Sequence, residues 1–157
     1  MTLILYATKY GAAREAAQRL SDQLGGAAIH DLKAGSVPGL EDFDTVILGS
    51  AIYAGSIRKE ARTFLAAQKF ELAQKRLGFY LCGISKDERT YLKDNFPKEL
   101  LEKAVATGLF GGKFDPEKAN GLERLIMKAV AKQAGFIDTL DDEKIKQFAN
   151  LFVEGGR

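Results

Sequence analysis

Residues 3–20, LILYATKYGAAREAAQRL, decide the fold. Leu3, Ile4, Leu5 and Tyr6 form a short apolar run of the kind that makes a buried strand. A small polar loop follows, Ala7-Thr8-Lys9-Tyr10-Gly11. Residues 12–24 are then rich in Ala, Gln, Arg and Leu, good helix formers whose apolar members recur every three or four positions. A strand that turns through a hydroxyl, a basic residue and a glycine into a helix start can hold an anion. Unpaired backbone N–H groups converge at the helix N-terminus, and the helix dipole favours negative charge there. The same residues also suit an ordinary βα unit that binds nothing, so the rest of the chain must decide.

Outward from this unit, strand-like and helix-like segments alternate. Residues 27–32 read as a weak short strand, followed by a loop over 34–40 containing Gly35, Pro38 and Gly39. Residues 44–50 are nearly all apolar, as expected of a strand covered on both faces. Residues 57–68 are helical, with Ile57, Ala61, Phe64 and Leu65 on one face. A buried strand is expected over 76–84, helix broken near Pro97 over 86–103, and a fifth strand over 104–110 ended by Gly111 and Gly112. Amphipathic helices are expected over 120–133 and 141–153, the second opened by Asp141-Asp142-Glu143 as an N-terminal cap. No repeat or linker is visible, and one domain over 1–157 is expected.

This alternation predicts an α/β fold: a doubly wound, five-stranded parallel sheet with helices on both faces. The expected strand order is 2-1-3-4-5, with a ligand crevice at the carboxyl ends of the strands near strands 1 and 3. The loops there are residues 8–11, 50–55 and 82–85. Their convergence on one place favours a ligand over an empty βα unit.

Bulk composition narrows the function classes. A chain of 157 residues can bury a sizeable core, and 46% hydrophobic with 28% charged residues is a globular balance. With 23 basic against 21 acidic residues and a net charge of +2, no strong attraction to nucleic acid is expected. Cys82 and His30 are the single cysteine and histidine, which excludes an intramolecular disulfide and a Cys/His zinc site within one chain. No metal site is expected. No apolar stretch approaches the ~20 residues that span a bilayer, and Met1 leads into a strand rather than a signal peptide. A soluble, cytoplasmic protein is the expectation.

The first loop has neither the GxxxxGK[ST] of a nucleoside triphosphatase nor the GxGxxG of a dinucleotide binder. In the second, Gly49 and Gly55 are expected to let backbone approach a ligand, Ser50 supplies a hydroxyl, and Tyr53 among small residues is placed to stack on a flat ring. The bland alternative is a loop aromatic covering a helix end. The third loop, Cys82-Gly83-Ile84-Ser85, would line the far edge of such a ring. Cys82 lies in an apolar strand without an activating partner, which reads as an inert thiol. His30 falls on or after strand 2, away from the crevice, and no carboxylate pair for acid–base work is present.

Ile4-Leu5-Tyr6, Thr8, Gly11, Ala17 and Leu20 stand at the spacings of the flavodoxin signature, and the chain resembles that family. The resemblance implies a flavodoxin-like fold with flavin mononucleotide (FMN) as cofactor. Its phosphate would be held by Thr8, Lys9, Tyr10, Gly11, Ala12 and Ala13. Its ring would lie against Ser50, Ala51, Ile52, Tyr53, Ala54 and Gly55, with Cys82, Gly83, Ile84 and Ser85 beyond. Ala13 departs from the pattern, which usually has a threonine there; losing one neutral donor costs on the order of 1 kcal/mol.

GSAIYAGSIRKEARTFL (residues 49–65), LERLIMKAVAK (122–132) and the final helix with Phe148-Ala149-Asn150-Leu151 are similar to the flavodoxin-like, menaquinone-dependent protoporphyrinogen oxidases of bacterial haem synthesis. That resemblance implies two-electron oxidation of a porphyrinogen with a quinone acceptor. The family's longer basic insertion after strand 4 is reduced here to a mixed segment. The apolar and basic faces of residues 122–132 suit peripheral contact with the inner membrane face or, more simply, docking on the sheet. Two further readings are a flavodoxin-type carrier serving a redox partner protein and a cofactor-free interaction module. Carriers are typically acidic, which steers them onto basic partners; the balanced charge here weighs against that reading.

Overall fold

Each long strand carries apolar side chains alternately to two cores. The computed structural model describes residues 1–84, 87–118, 121, 125 and 137–155. Strand β1 (Thr2–Ala7) is followed by helix α1 (Ala12–Gln23), β2 (Ala28–Asp31), β3 (Thr45–Tyr53), the two-residue β4 (Ser56–Ile57) and α2 (Lys59–Leu72). Then come β5 (Arg76–Cys82), α3 (Glu88–Asn95), α4 (Lys98–Lys103), β6 (Ala104–Leu109), β7 (Lys113–Phe114), β8 (Ile137–Asp138) and α5 (Asp142–Gly155). The main sheet runs β2-β1-β3-β5-β6, all parallel. This is the expected 2-1-3-4-5 order once the short β4, which pairs antiparallel with β3, is set aside.

On one face, Leu3, Leu5, Val46, Leu48, Leu77, Phe79 and Leu81 meet Ala61, Phe64 and Leu65 of α2, Leu92 of α3 and Leu100 of α4. On the other, Ile4, Tyr6, Ile47 and Tyr80 meet Ala13, Ala16, Ala17 and Leu20 of α1 and Ile145, Phe148 and Phe152 of α5. Period-two alternation with both faces apolar is what made the strands legible as continuous hydrophobic runs. The α5 cap is as expected: Asp141 Oδ1 accepts from the N–H groups of Glu143 and Lys144 at 3.0 and 3.2 Å. Arg19 ties α1 to Asp142.

Several boundaries move for physical reasons. β3 continues past Ser50 to Tyr53, because a tight hairpin returns the chain as β4 with Tyr53 paired to Ser56. Its two central residues both have positive φ, Ala54 at 51° and Gly55 at 80°, as two-residue hairpins of this hand require. Helix α2 therefore starts at Lys59 rather than 57, since the Ile57 N–H is engaged by Asn95 Oδ1 at 3.0 Å. β5 stops at Cys82 rather than 84, and Gly83 N–H donates to the Gly111 carbonyl at 2.9 Å. Gly112 serves close backbone approach: a methyl there would come within 2.9 Å of Gly83.

The antiparallel pair β7–β8 was not expected. It buries Phe114 and Ile137, with Tyr10 and Ile84 packed against them. The expected helix over 120–133 lies outside the described residues, except for Gly121 and Leu125. Among the described residues, no helix is long and apolar enough to cross a membrane.

Candidate functional site

At the carboxyl end of β1 the chain must reverse into α1, and Gly11 makes that turn at φ +93°. Its N–H donates to Thr8 Oγ1 at 2.9 Å, which closes the loop on itself. The first intrahelical bond runs from Glu15 N–H to the Gly11 carbonyl at 2.9 Å. The N–H groups of Ala12, Ala13 and Arg14 thus have no intrahelical acceptor. A methyl at Gly11 would point into open space.

Three loops form one cleft. Thr8, Lys9, Tyr10 and Ala12 come from the first, Ala51, Ile52, Tyr53, Ala54 and Gly55 from the second, and Cys82, Gly83 and Ile84 from the third. Tyr91, Lys113 and Phe114 complete its wall. The lining described is mainly apolar and aromatic, with two ammonium groups, Lys9 and Lys113, and no carboxylate. Lys9 Nζ lies 4.7 Å from the Tyr53 ring centroid, spanning from the first loop to the second. Tyr10 meets Phe114 edge-on at 5.3 Å. Lys113 is ion-paired with Glu15 in the first turn of α1. That hydrogen bond holds the Glu15 carboxyl below its ordinary range, helped by the Arg19 charge and opposed by partial burial.

The donors at the first loop suit a small anion, and the aromatic slot beside them suits a flat ring. The flavodoxin domain model matches residues 3–139. The chain belongs to the flavodoxin domain family. Among solved structures, this flavodoxin domain is similar to a short-chain flavodoxin associated with a PDU bacterial microcompartment. The two share 15% identity, covering 100% of this chain and 99% of the other, at a TM-score of 0.65. Flavodoxin 2 from Bacillus cereus is 20% identical over 98% of both chains, with a TM-score of 0.62. Rubredoxin oxygen:oxidoreductase from Desulfovibrio gigas is 14% identical, covering 98% of this chain and 35% of that one, at 0.57. At such identities the likeness speaks for the fold alone. No protein of curated function matches in sequence.

Not every residue singled out from the sequence of this flavodoxin domain reaches the cleft. Ala13 is fully buried against the sheet, and its carbonyl accepts the Tyr80 hydroxyl at 2.7 Å. Its side chain is core, and only its N–H is left to face a ligand. Ser50 is also fully buried: its hydroxyl donates to the Ala51 carbonyl and accepts Arg58 N–H, both at 2.9 Å. It braces the entry to α2 instead of meeting a ligand. The missing side chain of Gly49 makes room for the Tyr80 ring, which a methyl there would overlap. Ser85 lies outside the described residues. Cys82 touches the cleft floor but is 2% exposed, and burial drives its thiol pKa far up, so it is no thiolate nucleophile. His30 is half-buried on β2 opposite Leu5, away from the cleft.

Sequence reasoning missed the support of the second loop. Asn95 of α3 accepts Ile57 N–H at 3.0 Å and donates to the Gly55 and Tyr91 carbonyls, each at 2.9 Å. It clamps the hairpin that presents Tyr53. Tyr91 and Asn95 are spaced i, i+4 and so share a helix face, the one signal available. Nothing in the sequence says what that face touches.

Proposed function

We propose that this chain binds one FMN in the cleft and works as an electron-transferring oxidoreductase. The observation that carries the reading is the meeting of the first loop's free N–H donors with an aromatic slot in a flavodoxin domain. The N–H groups of Ala12, Ala13 and Arg14, with the Thr8 hydroxyl, would hold the phosphate dianion. Tyr53 would give the ring an aromatic face once Lys9 moves aside, and Ile52, Cys82 and Ile84 would keep its edge dry. When bound, the flavin supplies the chemistry of accepting and releasing electrons in pairs. The protein's part is to place it, exclude water and set its electrostatic surroundings. The lining described carries cations and no carboxylate, which favours a flavin that has accepted electrons and negative charge.

Within that reading we propose turnover of a small molecule, of the kind the resemblance implies: a porphyrinogen as donor and a quinone as acceptor, in the cytoplasm or at the inner membrane face. A flavodoxin-type carrier is the second reading. The near-balanced charge, 23 basic against 21 acidic residues, supports the first, since carriers steer onto partners through acidic surfaces. The test has two stages. Apoprotein is titrated with FMN by calorimetry and by the visible flavin bands; no heat and no spectral change at millimolar FMN refutes the cofactor assignment. The loaded protein is then mixed anaerobically with protoporphyrinogen and a menaquinone analogue. Catalytic turnover supports the oxidase, whereas flavin reoxidised only by a protein partner makes the chain a carrier.

A further inference from the structure

A further depression of about 220 Å³ lies beside the cleft and is lined by Tyr53, Ser56, Ile57, Arg58, Lys59 and Arg62. Tyr53 lines both, so its ring borders the cleft on one hand and this depression on the other. Arg58, Lys59 and Arg62 form no ion pair among the described residues, in contrast to Arg19, Lys69, Lys98 and Lys113. No ion pair among the described residues offsets their mutual repulsion.

Two of the three are also fixed in place. Arg62 Nη1 donates to the Ile57 carbonyl at 2.8 Å, which holds its guanidinium over the groove. The Arg58 N–H is held by the buried Ser50 hydroxyl, and Arg58 Nε is buried without an acceptor among the described residues. A desolvated guanidinium N–H is a costly group to leave unpaired, and a planar oxyanion is its natural partner. Helix α2 starts at Lys59 with no side-chain cap, so its dipole adds to the same positive potential. Glu60, the next residue, is not part of this lining; it lines a groove on the α2 flank that Lys59 also borders.

We propose that this groove binds the anionic group, a carboxylate or comparable oxyanion, of a small electron donor or acceptor whose redox-active part reaches the cleft past Tyr53. The inference rests on the flavin reading above and adds a recognition element to it. A small molecule fits better than an acidic protein face because three cations converge on one pocket-sized depression instead of spreading over a surface.

The test uses FMN-loaded protein, reduced anaerobically and mixed in a stopped-flow instrument with 1,4-naphthoquinone-2-sulfonate or with neutral 1,4-naphthoquinone. In each case two electrons and two protons pass from reduced flavin to quinone, leaving oxidised flavin and the hydroquinone. The sulfonated-to-neutral ratio of reoxidation rate constants is expected to fall at least fivefold in Lys59→Gln and in Arg62→Gln. It should also fall when salt is raised, and it should hold in the distant variant Lys98→Gln. FMN affinity is measured for every variant. Failure of wild-type protein to bind FMN overturns both readings; normal FMN binding with a ratio indifferent to Lys59 and Arg62 overturns the groove alone. Equal inhibition of both quinones by micromolar poly-L-glutamate would assign the groove to an acidic protein face and overturn the small-molecule assignment.

Discussion

Asn95→Ala separates the support of the cleft from its lining. The side chain makes three hydrogen bonds: to Ile57 N–H, the Gly55 carbonyl and the Tyr91 carbonyl. At a net ~1 kcal/mol each, their loss lowers global stability by about 2–3 kcal/mol. Two of the three hold the hairpin at Gly55 and Ile57, which already contains an alanine at φ 51°. That conformation costs roughly 1 kcal/mol or more for a residue with a Cβ, so the hairpin depends on outside restraint. Without the clamp, the loop bearing Tyr53 must be ordered again on binding. The expected penalty on FMN affinity is up to about 2 kcal/mol, close to thirtyfold in Kd. Asn95→Asp keeps an acceptor for Ile57 N–H but sets a carboxylate oxygen against the Gly55 and Tyr91 carbonyls, and should cost at least as much as alanine. The assays are denaturant unfolding of the apoprotein, hydrogen exchange at Ile57 and an FMN titration. Protein destabilised as expected, with Ile57 exchange and Kd within twofold of wild type, would show that the clamp does not organise the cleft.

Four further outcomes follow from the same geometry. Gly49→Ala drives a methyl into the buried Tyr80 ring, whose hydroxyl is pinned to the Ala13 carbonyl. Overpacking of this kind costs about 3 kcal/mol, and a shift in urea midpoint equivalent to under ~1 kcal/mol would contradict it. Ala54→Asn should stabilise by roughly 0.5–1 kcal/mol, because asparagine tolerates positive φ at this hairpin position; a lower melting temperature counts against the turn. Tyr53→Ala should weaken FMN by about 1 kcal/mol if the ring stacks there, and an unchanged Kd rejects stacking. Glu15 is held below its ordinary range mainly by its bond to Lys113. Its contribution is therefore full above the ordinary carboxylate pKa and is lost as pH falls through the lowered native value. The melting-temperature advantage of wild type over Glu15→Gln should shrink below about pH 4, and an advantage that persists at the acid end would refute the pairing.

The architecture was readable from the chain because burial is local in its signature. β1, β3 and β5 are apolar at successive positions, which is what a strand between two helix layers requires. The break at Pro97 and the cap at Asp141 were equally plain, since each acts within a few residues of itself. The hairpin after Ser50 was not: its central pair is Ala54-Gly55 in place of the Asn-Gly or Asp-Gly that usually marks such turns. Lys113 and Phe114 lie beyond the Gly111-Gly112 break, where periodicity stops being informative.

What the sequence determined by itself is the alternation of strands and helices, and with it the edge of the sheet at which three loops gather. Which side chains face that gathering point was decided by tertiary packing. Ser50 and Ala13 turn inward because Arg58 N–H and the Tyr80 hydroxyl meet them there, while Asn95, far along the chain, turns toward the loop. A strand's pattern fixes which residues are buried, but a hydroxyl or an amide is assigned only by the partner that reaches it. Those partners come from elements that sequence proximity does not connect.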